Sequence, residues 1–221
     1  MYKELDNVIV ESNINIDYFD EIINYIKSNE KEILNFFSLS GLKEKYQVKI
    51  LDYKSFKDFE LAKYACVKDY VRGDTDADTR TIRIMDLNDQ RKFTTHTDTD
   101  ANLDEILKMI MHEFVHACND EVKMWVRKTI WFHEGLATNL AHQDYEITDL
   151  ETCDFEKLEW NFNGYGSGSY SYAYTIVNYL LNNYSHEEVI YFVKEPDYLI
   201  ENSKTIFNQA KEWAKKMKPQ R

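Results

Sequence analysis

Hydrophobic positions along the chain follow two periods, and the change from one to the other divides it. Ile16, Phe19, Ile22, Ile23, Ile26, Ile33, Phe36 and Phe37 recur at three- and four-residue spacing, which predicts a long amphipathic helix. A short strand is expected before it at residues 8–10. Residues 46–53 (YQVKILDY) alternate apolar and polar side chains as a half-buried strand does. Ser55 then reads as the N-cap of a helix running to about Val71. Thr81–Met85 (TIRIM) is a third strand candidate between two Asp/Thr-rich segments. From Leu103 onward the period is helical throughout. Leu103, Ile106, Leu107, Ile110, Phe114 and Ala117 form one apolar face, with Asn102 placed to cap the helix and Glu105 three positions later to reach back. Further helices are expected near residues 131–142, 169–184, 187–194 and 198–217. The 2 prolines and 6 glycines leave few interruptions, in keeping with a helix-rich chain.

These elements predict an α+β fold: a small N-terminal sheet with helices, then a mostly helical C-terminal part. At 221 residues the chain suits a single domain spanning 1–221, with lobes at 1–119 and 120–221. The formal charge of −12 argues against a nucleic-acid partner, because phosphate binding needs a concentrated basic surface. No window approaches a membrane span and no apolar signal segment is visible within residues 1–20, so no membrane partner and a cytoplasmic location are expected. Cys66, Cys118 and Cys153 are odd in number and form no CxxC pair, which favours reduced thiols over a disulfide framework or a cysteine zinc knuckle. The oligomeric state is not legible in the sequence.

Asp74, Asp76 and Asp78 imitate the start of a calcium loop. Thr79 stands where such a loop needs Gly and Met85 where it needs a bidentate Glu, so calcium is rejected and a solvated loop is expected.

The chemistry is concentrated in His112-Glu113-Phe114-Val115-His116. Residues four apart on a helix lie one turn above each other, so the two imidazoles can converge on one ion at a separation the helix fixes. Glu113 is one step round from His112 and can reach a water at that ion without ligating it. A catalytic zinc needs a third protein ligand and one open position. Trp131-Phe132-His133-Glu134-Gly135-Leu136-Ala137 supplies Glu134 after 17 intervening residues, enough for a turn and a return helix. His133 points about 100° away round that helix and is expected as a polar residue at the cleft margin. His96, His142 and His186 have no helical partner and are expected at the surface.

Together the two segments resemble the gluzincin zinc metallopeptidases, which include thermolysin-like enzymes and the aminopeptidase branch with its Glu-Gly-x-Ala segment. The resemblance is strong over residues 103–141. It implies a gluzincin-like fold, one zinc per chain on His112, His116 and Glu134, Glu113 as general base, and a peptide or protein substrate. The lack of a His-x-x-Gly-x-x-His continuation after His116 excludes a metzincin. This chain departs from the family in three ways. Its ligand spacing differs slightly from the aminopeptidase branch. No Gly-x-Met-Glu-Asn segment precedes the zinc helix. Thr138 stands where thermolysin has an Asp that orients a zinc histidine. Residues 169–174 (SYSYAY) resemble the Tyr-containing helix of small gluzincin-like peptidases, which implies Tyr170 as a donor to the developing oxyanion, with Tyr174 one turn deeper as packing. Residues 161–168, with three of the glycines, form either a lid or a plain helix connection. Thr81–Met85 is expected as the cleft edge that pairs with an extended peptide. The alternative function is a zinc-binding interaction module with little hydrolytic activity. Glu113 argues against it, since a structural site needs no base and closes with a fourth ligand.

Overall fold

The computed structural model describes residues 1–65, 71–93, 101–124, 126–143, 145–166 and 168–217. Strands β1 (Tyr2–Glu4), β2 (Val8–Ser12), β3 (Tyr46–Leu51), β4 (Gly73–Asp76) and β5 (Thr81–Met85) form one sheet in the order β1-β2-β3-β5-β4. The central strands β2, β3 and β5 are parallel, and the edges β1 and β4 are antiparallel. Parallel neighbours require crossovers. Helix α1 (Phe19–Phe36) joins β2 to β3, and α2 (Tyr53–Tyr64) lies between β3 and β4. Alternation decides which side chains enter the core. In β2, Val8, Val10 and Ser12 are buried, and in β3, Tyr46, Val48 and Ile50 are. All five residues of β5 are buried, as befits an interior strand. At the N-cap of α1, the buried Tyr18 hydroxyl donates to Asp86 at 2.5 Å and accepts from the Leu87 N–H, fixing the turn out of β5 into α3 (Leu87–Phe93). Burial, and then the Asp86 carboxylate, push that phenol well above its ordinary pKa.

Several expectations are corrected here. Asp52, not Ser55, caps α2, and its carboxylate accepts the Ser55 N–H at 2.8 Å. A carboxylate adjoining the end of β3 takes the cap position ahead of a hydroxyl three residues on. The helix ends at Tyr64, with Ala65 in a left-handed conformation (φ 54°). Residues 66–70, including Cys66, lie outside the described residues. Asp74 and Asp76 do not belong to a solvated loop. They lie on β4, and only Asp78 sits exposed in the turn that follows. Asp74 faces Arg83 in the β4–β5 register and pairs with it at 3.1 Å; Asp76 reaches Arg83 at 3.7 Å. Lys63 of α2 lies 3.3 and 3.5 Å from the two carboxylates, and the Arg83 guanidinium stacks 3.4 Å over the Phe59 ring. Thr81–Met85 is likewise not the cleft edge, because β4 lies outside it. The acidic composition of β4 hid a strand whose charges are neutralised by partners distant in sequence.

Two compact units are present, Met1–Cys118 and Asn119–Arg221. Helix α4 (Leu103–Val122) contains the boundary. The second unit holds α5 (Ile130–Leu140), α6 (Phe155–Trp160), α7 (Ser169–Asn183), α8 (His186–Lys194) and α9 (Pro196–Met217). Its core includes Trp131, Phe132, Leu136, Val177, Leu180 and Ile206, and Phe155 stacks on Phe207 at 4.6 Å. The buried face of α7 runs through Ala173, Ile176, Val177 and Leu180, rotated away from Tyr170 and Leu181. Ser185 and Glu188 form a capping box at the start of α8. The sheet with its helices, followed by a second unit whose described elements are all helical, makes the fold α+β.

Candidate metal centre

Asn102 immediately precedes helix α4, and its side-chain oxygen accepts the Glu105 N–H at 3.0 Å. Ile106, Ile110, Phe114 and Ala117 are all buried, so packing fixes the rotation of the helix. That rotation sets His112, Glu113 and His116 in protein rather than in water, each less than a tenth exposed. The Nε2 atoms of His112 and His116 stand 3.2 Å apart, with the rings nearly perpendicular. Two zinc–nitrogen bonds of about 2.05 Å meeting at the tetrahedral angle would set their nitrogens about 3.3 Å apart. The pair therefore already has the bite that one tetrahedral ion demands.

Glu134 of α5 completes the donor set. One ligand atom from each of His112, His116 and Glu134 lies within 4.8 Å of the others, and all three residues are buried. Two imidazoles and a carboxylate are the nitrogen and oxygen ligands of three-ligand zinc sites. This buried group can hold a metal ion. Among the described residues no other group of three His, Cys, Asp or Glu side chains meets the same arrangement.

The residue after Glu134 explains how α5 is seated. A Cβ at Gly135 would stand 2.5 Å from Val177 Cγ2 and 2.6 Å from the Ala173 carbonyl oxygen, so α5 and α7 approach as only a glycine allows. The Thr138 hydroxyl, one turn on, lies 2.9 and 3.0 Å from the Glu134 and Gly135 carbonyl oxygens of its own helix, with one proton to share between them.

Glu113 is held from the sheet. The Thr75 hydroxyl of β4 lies 2.7 Å from Glu113 Oε2 and 3.0 Å from the Glu113 carbonyl oxygen. Two residues earlier, a Cβ on Gly73 would fall 3.0 Å from Glu113 Oε1. Neither residue was singled out from the sequence. The signal was the alternation Gly-Asp-Thr-Asp, whose two faces are legible only once β4 is known to be a strand.

Tyr170 is the second residue of α7, 37% exposed, with its ring edge-on to Phe162 at 5.1 Å. Tyr174 packs against Tyr145. His133 is not a marginal polar residue: it is 2% exposed and packs edge-on to Phe132, because nearly all of α5 is buried. His142 and His186 are exposed, and His96 lies outside the described residues. In the glycine-rich segment Gly166 and Gly168 adopt left-handed conformations (φ 99° and 96°). Tyr165 anchors the segment, its hydroxyl accepting the Asp154 N–H at 3.0 Å. Cys118 and Cys153 carry free thiols. Burial pushes the Cys153 thiol up to about 11. No protein-family model matches the chain, and a search of curated proteins finds no match.

Proposed function

We propose that the chain is a zinc-dependent peptidase of the gluzincin type, binding one zinc per chain through His112, His116 and Glu134. The observation that carries this reading is the buried His-His-Glu group with a fourth polar residue, Glu113, buried beside it on α4. A structural site closes with four ligands, whereas three ligands and a neighbouring carboxylate match a hydrolytic centre.

A zinc ion held there supplies a Lewis acid that acidifies water and polarises a carbonyl. Glu113 takes a proton from the attacking water as its oxygen adds to the peptide carbonyl carbon. It then delivers that proton to the amine nitrogen as the C–N bond breaks. The Tyr170 phenol is the proposed hydrogen-bond donor to the oxygen that becomes negative in between. An extended peptide would add to the outer side of β4, which pairs only with β5 among the described residues. Main-chain pairing there runs the substrate alongside Thr75, the residue that touches Glu113. The substrate class is therefore peptide or protein. The charge of −12 speaks against nucleic acid, and no helix among the described residues is long and apolar enough to cross a membrane.

The test is cleavage of a mixed peptide library by zinc-loaded wild type and Glu113→Gln. The substitution keeps size and polarity but removes the base. Wild type is expected to cleave, and the variant to retain its zinc while losing turnover by orders of magnitude. Equal turnover would overturn the reading.

A further inference from the structure

We propose that Thr75 is a positioning residue for Glu113 and that β4 is built to present it. The inference rests on the peptidase reading and gives the Thr75 side chain a role of its own, acting through Glu113 rather than on the metal ligands.

Alternation splits β4 into two faces. Asp74 and Asp76 take one face, where Arg83 and Lys63 pair with them. Those pairs fix a short strand that, among the described residues, has a neighbour on one side only. Gly73 and Thr75 take the other face, and both meet Glu113. At Gly73 the missing side chain leaves the space in which the carboxylate sits. A Cβ there would lie 3.0 Å from Glu113 Oε1, 3.1 Å from Met109 Sδ and 3.2 Å from Ile84 Cδ1. At Thr75 the hydroxyl lies within reach of two acceptors, Glu113 Oε2 at 2.7 Å and the Glu113 carbonyl oxygen at 3.0 Å. It has one proton to give, and the shorter contact to the charged carboxylate is the stronger.

The consequence is orientational. A glutamate has three side-chain torsions, and a base works only when one oxygen lies within hydrogen-bond reach of the proton it takes. With Oε2 accepting from Thr75 and no side chain at Gly73 to displace Oε1, the Thr75 hydrogen bond favours one orientation of the carboxylate. The Thr75 methyl branch stiffens the donor in turn, because two heavy atoms on Cβ restrict χ1. Preorganisation of this kind acts on turnover more than on substrate binding.

The experiment compares zinc-loaded wild type, Thr75→Val, Thr75→Ser and Glu113→Gln on one cleaved peptide, and the thermal unfolding of the metal-free proteins in a Thr75→Val/Glu113→Ala cycle. Thr75→Val removes the hydroxyl at constant shape. Its kcat is expected to fall about tenfold with KM changed by less than about twofold, and Thr75→Ser to recover most of the loss. In the metal-free cycle, Thr75→Val is expected to lower the melting temperature only where Glu113 is present. Thr75 is overturned by a Thr75→Val enzyme with wild-type kcat, by a Thr75→Ser enzyme as impaired as Thr75→Val, or by additive melting shifts. The peptidase reading fails separately. If wild type cleaves nothing, or Glu113→Gln cleaves as wild type does, that reading and the catalytic role of Thr75 fall together, even when the melting cycle shows the bond itself.

Discussion

Gly135 faces Val177 so closely that one added methyl group would stand 2.5 Å from Val177 Cγ2. Neither side can yield readily, since Val177 is fully buried and the next nearest atom is the backbone oxygen of Ala173. Gly135→Ala is therefore expected to destabilise the protein by about 1–3 kcal/mol, as overpacking of a close-packed core does. It should also weaken zinc binding, because the helix that must shift carries Glu134 as the preceding residue. Urea unfolding and a zinc titration of the same sample check both effects. Unchanged stability would mean that α5 and α7 are not packed this closely.

Asp76 gives a prediction with a defined sign in pH. Burial raises its pKa, but the Thr79 N–H at 3.1 Å, Lys63 and Arg83 outweigh it and hold the carboxyl below its ordinary value of 3.8. A depressed carboxylate contributes stability that is fully present above its unfolded pKa and is lost as pH falls through the lower folded one. Asp76→Asn should thus cost about 1 kcal/mol near neutrality. The gap from wild type should close as pH drops below about 4. Urea midpoints measured down the pH scale check this, and a pH-independent gap would contradict it.

The sequence carried the helices and the chemistry more openly than the sheet edges. His112, Glu113 and His116 are legible because the helical period converts a spacing of four into proximity, and Asn102 announces where that period starts. β3 shows through its apolar–polar alternation, and β2 and β5 through short aliphatic-rich runs. β4 does not, because both of its outward acids are satisfied by Arg83 and Lys63, which no local pattern links to it. α3 and α6 are short, at 7 and 6 residues, too brief for a period to register. Thr75 was invisible for the same reason as β4, since its contact with Glu113 spans 38 residues.

Tyr170 and Tyr174 separate by hydroxyl removal. Tyr170→Phe keeps the edge-on packing with Phe162 and deletes only the donor. Turnover should fall about a hundredfold with little change in KM, as for loss of one oxyanion donor. Tyr174, whose ring packs on Tyr145, should tolerate the same change. Steady-state kinetics of the two variants decide the assignment, and the reverse outcome would transfer the role to Tyr174.

Metal binding should register in stability. Any ligand that binds only the folded chain raises its melting temperature, by about 2.7 kcal/mol equivalent at a hundredfold excess over Kd. Zinc added to metal-free wild type should produce such a rise, and a chelator should reverse it. His116→Ala should show neither response, since it removes one half of the 3.2 Å imidazole pair. A full zinc response in that variant, read by scanning calorimetry, would place the ion elsewhere.

The most direct test is X-ray absorption at the zinc edge on protein reconstituted with one equivalent of zinc. The group of His112, His116 and Glu134 predicts a first shell of nitrogen and oxygen at about 2.0–2.1 Å, with an imidazole signature of two rings and no sulfur. A sulfur shell at about 2.3 Å, or zinc bound in an outer-sphere, fully hydrated form, would contradict the account.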